Sequence, residues 1–158
     1  MKPKTILVSS AIVFKKPKDK YLWFLVRQNQ DSGWEIPKTT VRRGESSVRA
    51  VIRVMGEQGG MRAKVLEEVG RNSGSASVNG KIVPQRYLYY LMIQRGESEV
   101  LGFAETEWMD YTKAFKRLKS KKDQQMLIKA RDLIKVLQKT KKDFDKPEEF
   151  EEEVFDPS

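Results

Sequence analysis

The chain has no cysteine and no histidine among its 158 residues. Their absence excludes disulfides, zinc–thiolate centres, cysteine nucleophiles and every histidine-based triad. Acid–base chemistry is left to carboxylates, lysine and tyrosine. A metal site would have to be built from oxygen ligands, which favours magnesium or manganese. The lack of cysteine also fits a reducing cytoplasm, the expected location. Long hydrophobic runs are missing as well: nothing approaches the roughly 18 apolar residues of a membrane span, so no membrane partner is expected. The most apolar stretch, TILVSSAIVF (Thr5 to Phe14), follows two lysines as a secretion signal would. It lacks a small-residue cleavage site and runs on into KKPKDK, and its Val, Ile and Thr content predicts a buried strand.

What the chain has in quantity is charge, at 34% of residues against 39% hydrophobic, the balance of a single globular domain. The net +9 hides a split. From Asp143 onward eight acidic residues face one lysine, so Met1 to Lys142 carries 30 basic and 14 acidic residues, or +16. A body this basic attracts polyanions such as nucleic acid, nucleotides or an acidic membrane surface, or else is a surface charged for solubility. Residues 143–158, DFDKPEEFEEEVFDPS, are predicted to be a disordered acidic tail on a domain spanning residues 1–142.

Along the body, TILVSSAIVF and YLWFLVRQ (Tyr21 to Gln28) read as paired strands, and DSGWEIPK as a loop with a short extended piece at Trp34 to Ile36. Ser46 or Ser47 caps a helix to about Met55, with Val48, Val51, Ile52 and Met55 as its buried stripe and Gly56, Gly59 and Gly60 ending it. AKVLEEVGR (Ala63 to Arg71) reads as a strand followed by a Ser/Gly loop, NSGSAS. Asn79-Gly80 signals a hairpin into KIVPQRYLYYLMIQ, where Pro84 marks an edge or irregularity. A strand, TEWMDY, precedes a helical end broken near Ser120, whose last helix buries Leu127, Ala130, Ile134 and Leu137. Strands around one central helix, closed by helices, argue an α/β sandwich with a mixed sheet.

The chemistry concentrates in VRRGESSVRAVIRVMGEQGGM, Val41 to Met61. Positions i, i+3 and i+4 share one helix face, so glutamates at 54, 57 and 58 would form a compact metal-binding surface. The chain has Val54, Glu57 and Gln58 there. This segment resembles the Nudix box. Glu45, Arg53, Glu57, Gly60 and Met61 match it, while Thr39, Val54 and Gln58 replace a glycine and two glutamates. The lead-in WEIPK, the opening strand pair, RYLYYLMI, ETEWMDYTKAFKRL and the final helix sit where a Nudix domain has them, over roughly residues 4 to 138. SAIVF and WEIPK resemble the diadenosine-polyphosphate-hydrolase branch in particular.

The resemblance implies a Nudix-type α/β/α sandwich and cleavage of a nucleoside diphosphate linked to another group, with magnesium on the box glutamates. Glu45, Arg53 and Glu57 are then the catalytic candidates, with Glu57 as the remaining, weak metal ligand. Glu105 is the first choice for a ligand from outside the box, ahead of Glu67, Glu68, Glu97, Glu99 and Glu107. Lys38 and Arg86 are candidate phosphate partners, and Trp34 and Tyr87 candidate stacking surfaces. The scaffold is kept and the metal site depleted. Two readings stay open: a pyrophosphohydrolase of nucleoside polyphosphates with a weakened or relocated metal site, using Mg or Mn, or a silent domain binding nucleotide, RNA or protein, as in a ribonucleoprotein.

Overall fold

The computed structural model describes residues 5–97 and 105–140. The acidic residues 143–158 and Glu99 lie outside them. Val/Ile/Leu-rich runs become strands because their branched side chains pack on a pleated surface. They are β1 (Ile6–Lys15), β2 (Leu22–Arg27), β3 (Lys38–Thr40), β4 (Met61–Val78), β5 (Lys81–Glu97) and β6 (Glu105–Met109). The helices are α1 (Ser47–Glu57), α2 (Tyr111–Arg117) and α3 (Lys121–Thr140).

One six-stranded sheet has the order β4-β5-β1-β2-β6. β1 and β5 run parallel, from Ile6 opposite Gln85 to Phe14 opposite Ile93, and the other pairs are antiparallel. The free edge of β1 is shared: β3 pairs with Val8 to Ser10, and β2 joins at Phe14 and Lys15. Side-chain alternation then splits the core in two. On one face Ala11, Val13, Phe24, Val26, Leu88, Tyr90 and Met92 pack under α1. On the other Ile12, Phe14, Trp23, Leu25, Tyr89, Leu91 and Ile93 pack under α2 and α3. The expected sandwich is the observed fold.

Two expectations are corrected. The Ser/Gly stretch NSGSAS is strand, not loop: β4 continues to Val78, with Asn72 to Val78 paired against Tyr87 to Lys81. Gly74 lets the Tyr87 ring approach, since a Cβ there would stand 3.1 Å from it. Pro84 lies one residue before the stretch of β5 that pairs with β1, where only one neighbouring strand needs its backbone. The buried stripe of α1 is Ala50, Val51, Val54 and Met55, whereas Val48 and Ile52 face outward at 37% and 45% exposure. The helix is turned so that position 54 points into the core.

Candidate functional site

Two adjoining regions carry the polar chemistry, and β3 joins them. On the α1 face, the loop from β3 to the helix turns at Gly44 (φ 77°), and Ser46 caps the helix by accepting from the Arg49 amide at 3.1 Å. Ser9 Oγ donates to the Ser47 carbonyl at 2.9 Å, and Ser47 Oγ shares a 2.6 Å hydrogen bond with the Tyr90 hydroxyl, fixing the helix start on the sheet. The Arg53 guanidinium grips Glu45 with two bonds, 2.8 Å from Nε and 3.0 Å from Nη2. It also donates to the Thr40 carbonyl at 3.3 Å. Arg53, at 13% exposure, is thereby a brace between loop, helix and β3. Its hydrogen bonds hold the Glu45 carboxyl down at about 2, helped by the Arg42 amide, and Glu45 in turn raises Arg53.

Past the helix, Gly60 turns the chain with φ 62°, a conformation suited to glycine. Val54 has no exposed surface and packs with Val13, Val26, Ala63 and Met92. Glu57 is exposed, its carboxylate 3.9 Å from Arg42 and 4.0 Å from Arg53.

On the opposite face a pocket of 510 Å³ is lined by Glu35, Lys38, Asn72, Tyr87, Tyr89 and Asp123, among others. Its floor is a buried polar cluster. The Lys38 ammonium lies 2.9 and 2.7 Å from the two Asp123 oxygens, the Tyr89 hydroxyl donates to Asp123 at 2.8 Å, and the Ile36 amide does so at 3.3 Å. Asp123 is 1% exposed. Burial and this carboxylate push the Tyr89 hydroxyl well above its ordinary value, so it stays a donor. Asn72, in the wall of this pocket, has its Oδ1 buried with no hydrogen-bond partner among the described residues.

The structure brings Glu45, Arg53 and Glu57 together, and Lys38 with Tyr87, but separates the other candidates. Trp34 is 6% exposed with Arg27 over its ring at 4.6 Å, so it belongs to the core. Arg86 alternates with Tyr87 and faces the α1 side, away from Lys38. Glu105 pairs with Arg27 on Leu25's face of the sheet rather than beside Glu57 on the α1 side. Glu68, Glu97 and Glu107 are paired to Arg71, Lys15 and Lys113. Asp123, Tyr89 and Asn72 were missed as site residues. Their one sequence signal was Ser120 with Asp123 three residues on, which reads as a helix cap, and Ser120 does accept from the Asp123 amide at 3.3 Å.

The family model described as NUDIX domain matches residues 6–131. The chain belongs to the Nudix family. No curated protein matches the sequence. Among solved structures, a Caenorhabditis elegans Ap4A hydrolase binary complex is similar with TM-score 0.63 and 16% identity, over 84% of this chain and 99% of that one. The NUDIX domain of Shewanella oneidensis NrtR, complexed with ADP ribose, gives TM-score 0.63 and 15% identity over 83% and 89%. The MutT protein of Methanosarcina mazei Go1 gives 0.65 and 13% over 85% and 99%. At these identities the likeness concerns the fold.

A magnesium ion needs several hard oxygen ligands at one place. Of helix positions 54, 57 and 58, only Glu57 carries a carboxylate, with Gln58 neutral beside it and Val54 sealed in apolar packing, while Glu45 is held by Arg53. Two guanidinium groups stand within 4.0 Å of the Glu57 carboxylate, where they repel a second cation. Among the described residues, no three carboxylates lie close enough together to hold a metal ion. The residues present do not fit the ion that the family's chemistry implies.

Proposed function

We propose that this Nudix domain binds nucleoside polyphosphates, of the kind in which a nucleoside diphosphate is linked to another group, and that its pyrophosphohydrolase activity is weak or lost. The observation that carries this reading is Val54: the position where the box has a glutamate is wholly buried among Val13, Val26, Ala63 and Met92. The pocket over Lys38 and Asp123 supports the binding half. It has the size of a small-ligand site, an aromatic wall in Tyr87 and the partly exposed cation of Lys38. An Ap4A hydrolase and an ADP-ribose-binding domain among the similar folds favour a dinucleotide-like ligand, in keeping with the diadenosine-polyphosphate branch.

The test is a nucleotide panel including Ap4A and ADP-ribose, titrated with and without magnesium or manganese, reading both binding and phosphate release. Binding that needs no metal, without release, is expected. Metal-dependent release abolished by Glu57→Gln overturns the reading and makes the chain an enzyme with a ligand recruited from outside the box.

A further inference from the structure

Residues 113–122, KAFKRLKSKK, contain six cations and no carboxylate. They form the end of α2 and the connection into α3. Ala114 and Leu118 are buried and pin this backbone to the core, while Lys113, Lys116, Arg117, Lys119, Lys121 and Lys122 are all exposed. Lys113 pairs with Glu107, and Lys122 donates to the Ser73 carbonyl. Among the described residues the other four have no carboxylate partner. Four unpaired cations on a short rigid ridge are an electrostatic feature that a solvated surface, with its signs interspersed, does not show.

The ridge runs between two clefts. One, of 710 Å³, is lined by Lys113, Lys116 and Arg117 together with Tyr21 and Tyr111. The other is the Lys38 pocket, with Ser120 and Lys122 on the ridge side and Tyr87 and Tyr89 beyond. Asp19 and Asp110 stand in the first cleft, Glu35 and the Lys38-paired Asp123 in the second. Cations in the centre with aromatic clefts on both flanks match a polymer that has a continuous anionic backbone and separate planar bases. A duplex hides its bases and would leave both clefts unused. A lipid surface would need exposed apolar side chains to insert, and Ala114 and Leu118 are buried.

We propose that the α2–α3 connection is a binding surface for single-stranded nucleic acid, with phosphates along the ridge and bases turned into the flanking clefts. It shares one cleft with the nucleotide site and otherwise stands apart from it. The experiment uses the full chain and a labelled 12-nucleotide single strand, followed by fluorescence anisotropy between 50 and 200 mM salt. With about four phosphates neutralised, affinity falls about fifty-fold across that range. The variant Lys116→Ala/Arg117→Ala/Lys121→Ala loses about two units of the log–log salt slope and leaves ADP-ribose or Ap4A binding unchanged. A control, Arg49→Ala/Arg62→Ala/Lys81→Ala, removes equal charge from exposed positions elsewhere and keeps most of the affinity. An equal loss in both variants overturns the proposal. So does equal binding of a duplex or of vesicles containing phosphatidylserine, or no binding of the strand at 50 mM salt. Failure of nucleotide binding alone leaves it standing.

Discussion

Asp123 holds three donors at once, the Lys38 ammonium and the Ile36 amide from one segment and the Tyr89 hydroxyl from another. Removing it strands all three. Breaking a buried pair typically costs about 3–5 kcal/mol, but Lys38 is 23% exposed and can turn toward water. Asp123→Ala should therefore cost about 2–3 kcal/mol, near or just under that range. Urea denaturation would read it as a lower midpoint at an unchanged slope, and a loss below 0.5 kcal/mol would mean the cluster is not a structural floor. Glu45 makes a prediction in pH. Its folded value near 2 lies below its ordinary 4.5, so between the two the unfolded chain binds more protons and stability rises with pH. The Glu45 contribution is full above pH 4.5 and is lost as pH falls through about 2. Glu45→Gln should have a lower thermal midpoint than the parent at pH 6, with the gap closing toward pH 2. A gap that stays constant over that range would mean the Arg53 pair is not what Glu45 contributes.

At the scale of the element, α1 decides what the box can do. Its sequence periodicity shows a helix plainly, and a cap at Ser46 or Ser47 was legible from residue type, the structure placing it at Ser46. Its rotation was not, because apolar residues at 48, 50, 51, 52, 54 and 55 surround more than half the helix and leave the buried side to be chosen by the sheet. Ala50, whose small side chain permits close approach, sits at the contact and turns Val48 and Ile52 outward. A carboxylate at position 54 would thus meet Val13, Val26 and Met92 without a partner. Val54→Glu should destabilise by more than about 3 kcal/mol, as burying an unpaired charge does, and should not gain magnesium-dependent release. Gln58→Glu, at a half-buried position, should fold normally. Turnover appearing in the double variant would show that the helix can rotate to form a metal face. The hairpin follows the same division. Asn79 and Gly80 take the left-handed angles (φ 53° and 79°) that their types announce, whereas strand pairing through NSGSAS depends on β5 being there to receive it. Asp123 was hidden for a related reason: its partners lie 34 to 87 residues away, beyond any local spacing.

Across the whole molecule, charge is divided between a +16 body and eight carboxylates after residue 142. The last buried position of α3 is Leu137, so a chain ending at Lys142 keeps every core contact described here. Shortening it removes a net seven negative charges and has two opposed effects. Self-repulsion of the body rises, which should lower the thermal midpoint at low salt. Competition for the basic ridge disappears, which should tighten binding of a single strand several-fold at about 50 mM salt. Both effects act through solvent, so both should fade together as the Debye length shrinks from about 10 Å at 0.1 M to about 3 Å at 1 M. Parallel titrations of the two chains separate this from a loss of packing, which would lower the midpoint at every salt concentration and leave strand binding unimproved. Identical salt curves for the two chains would mean that the carboxylates do not reach the ridge, and that the basic surface is open in the 158-residue chain.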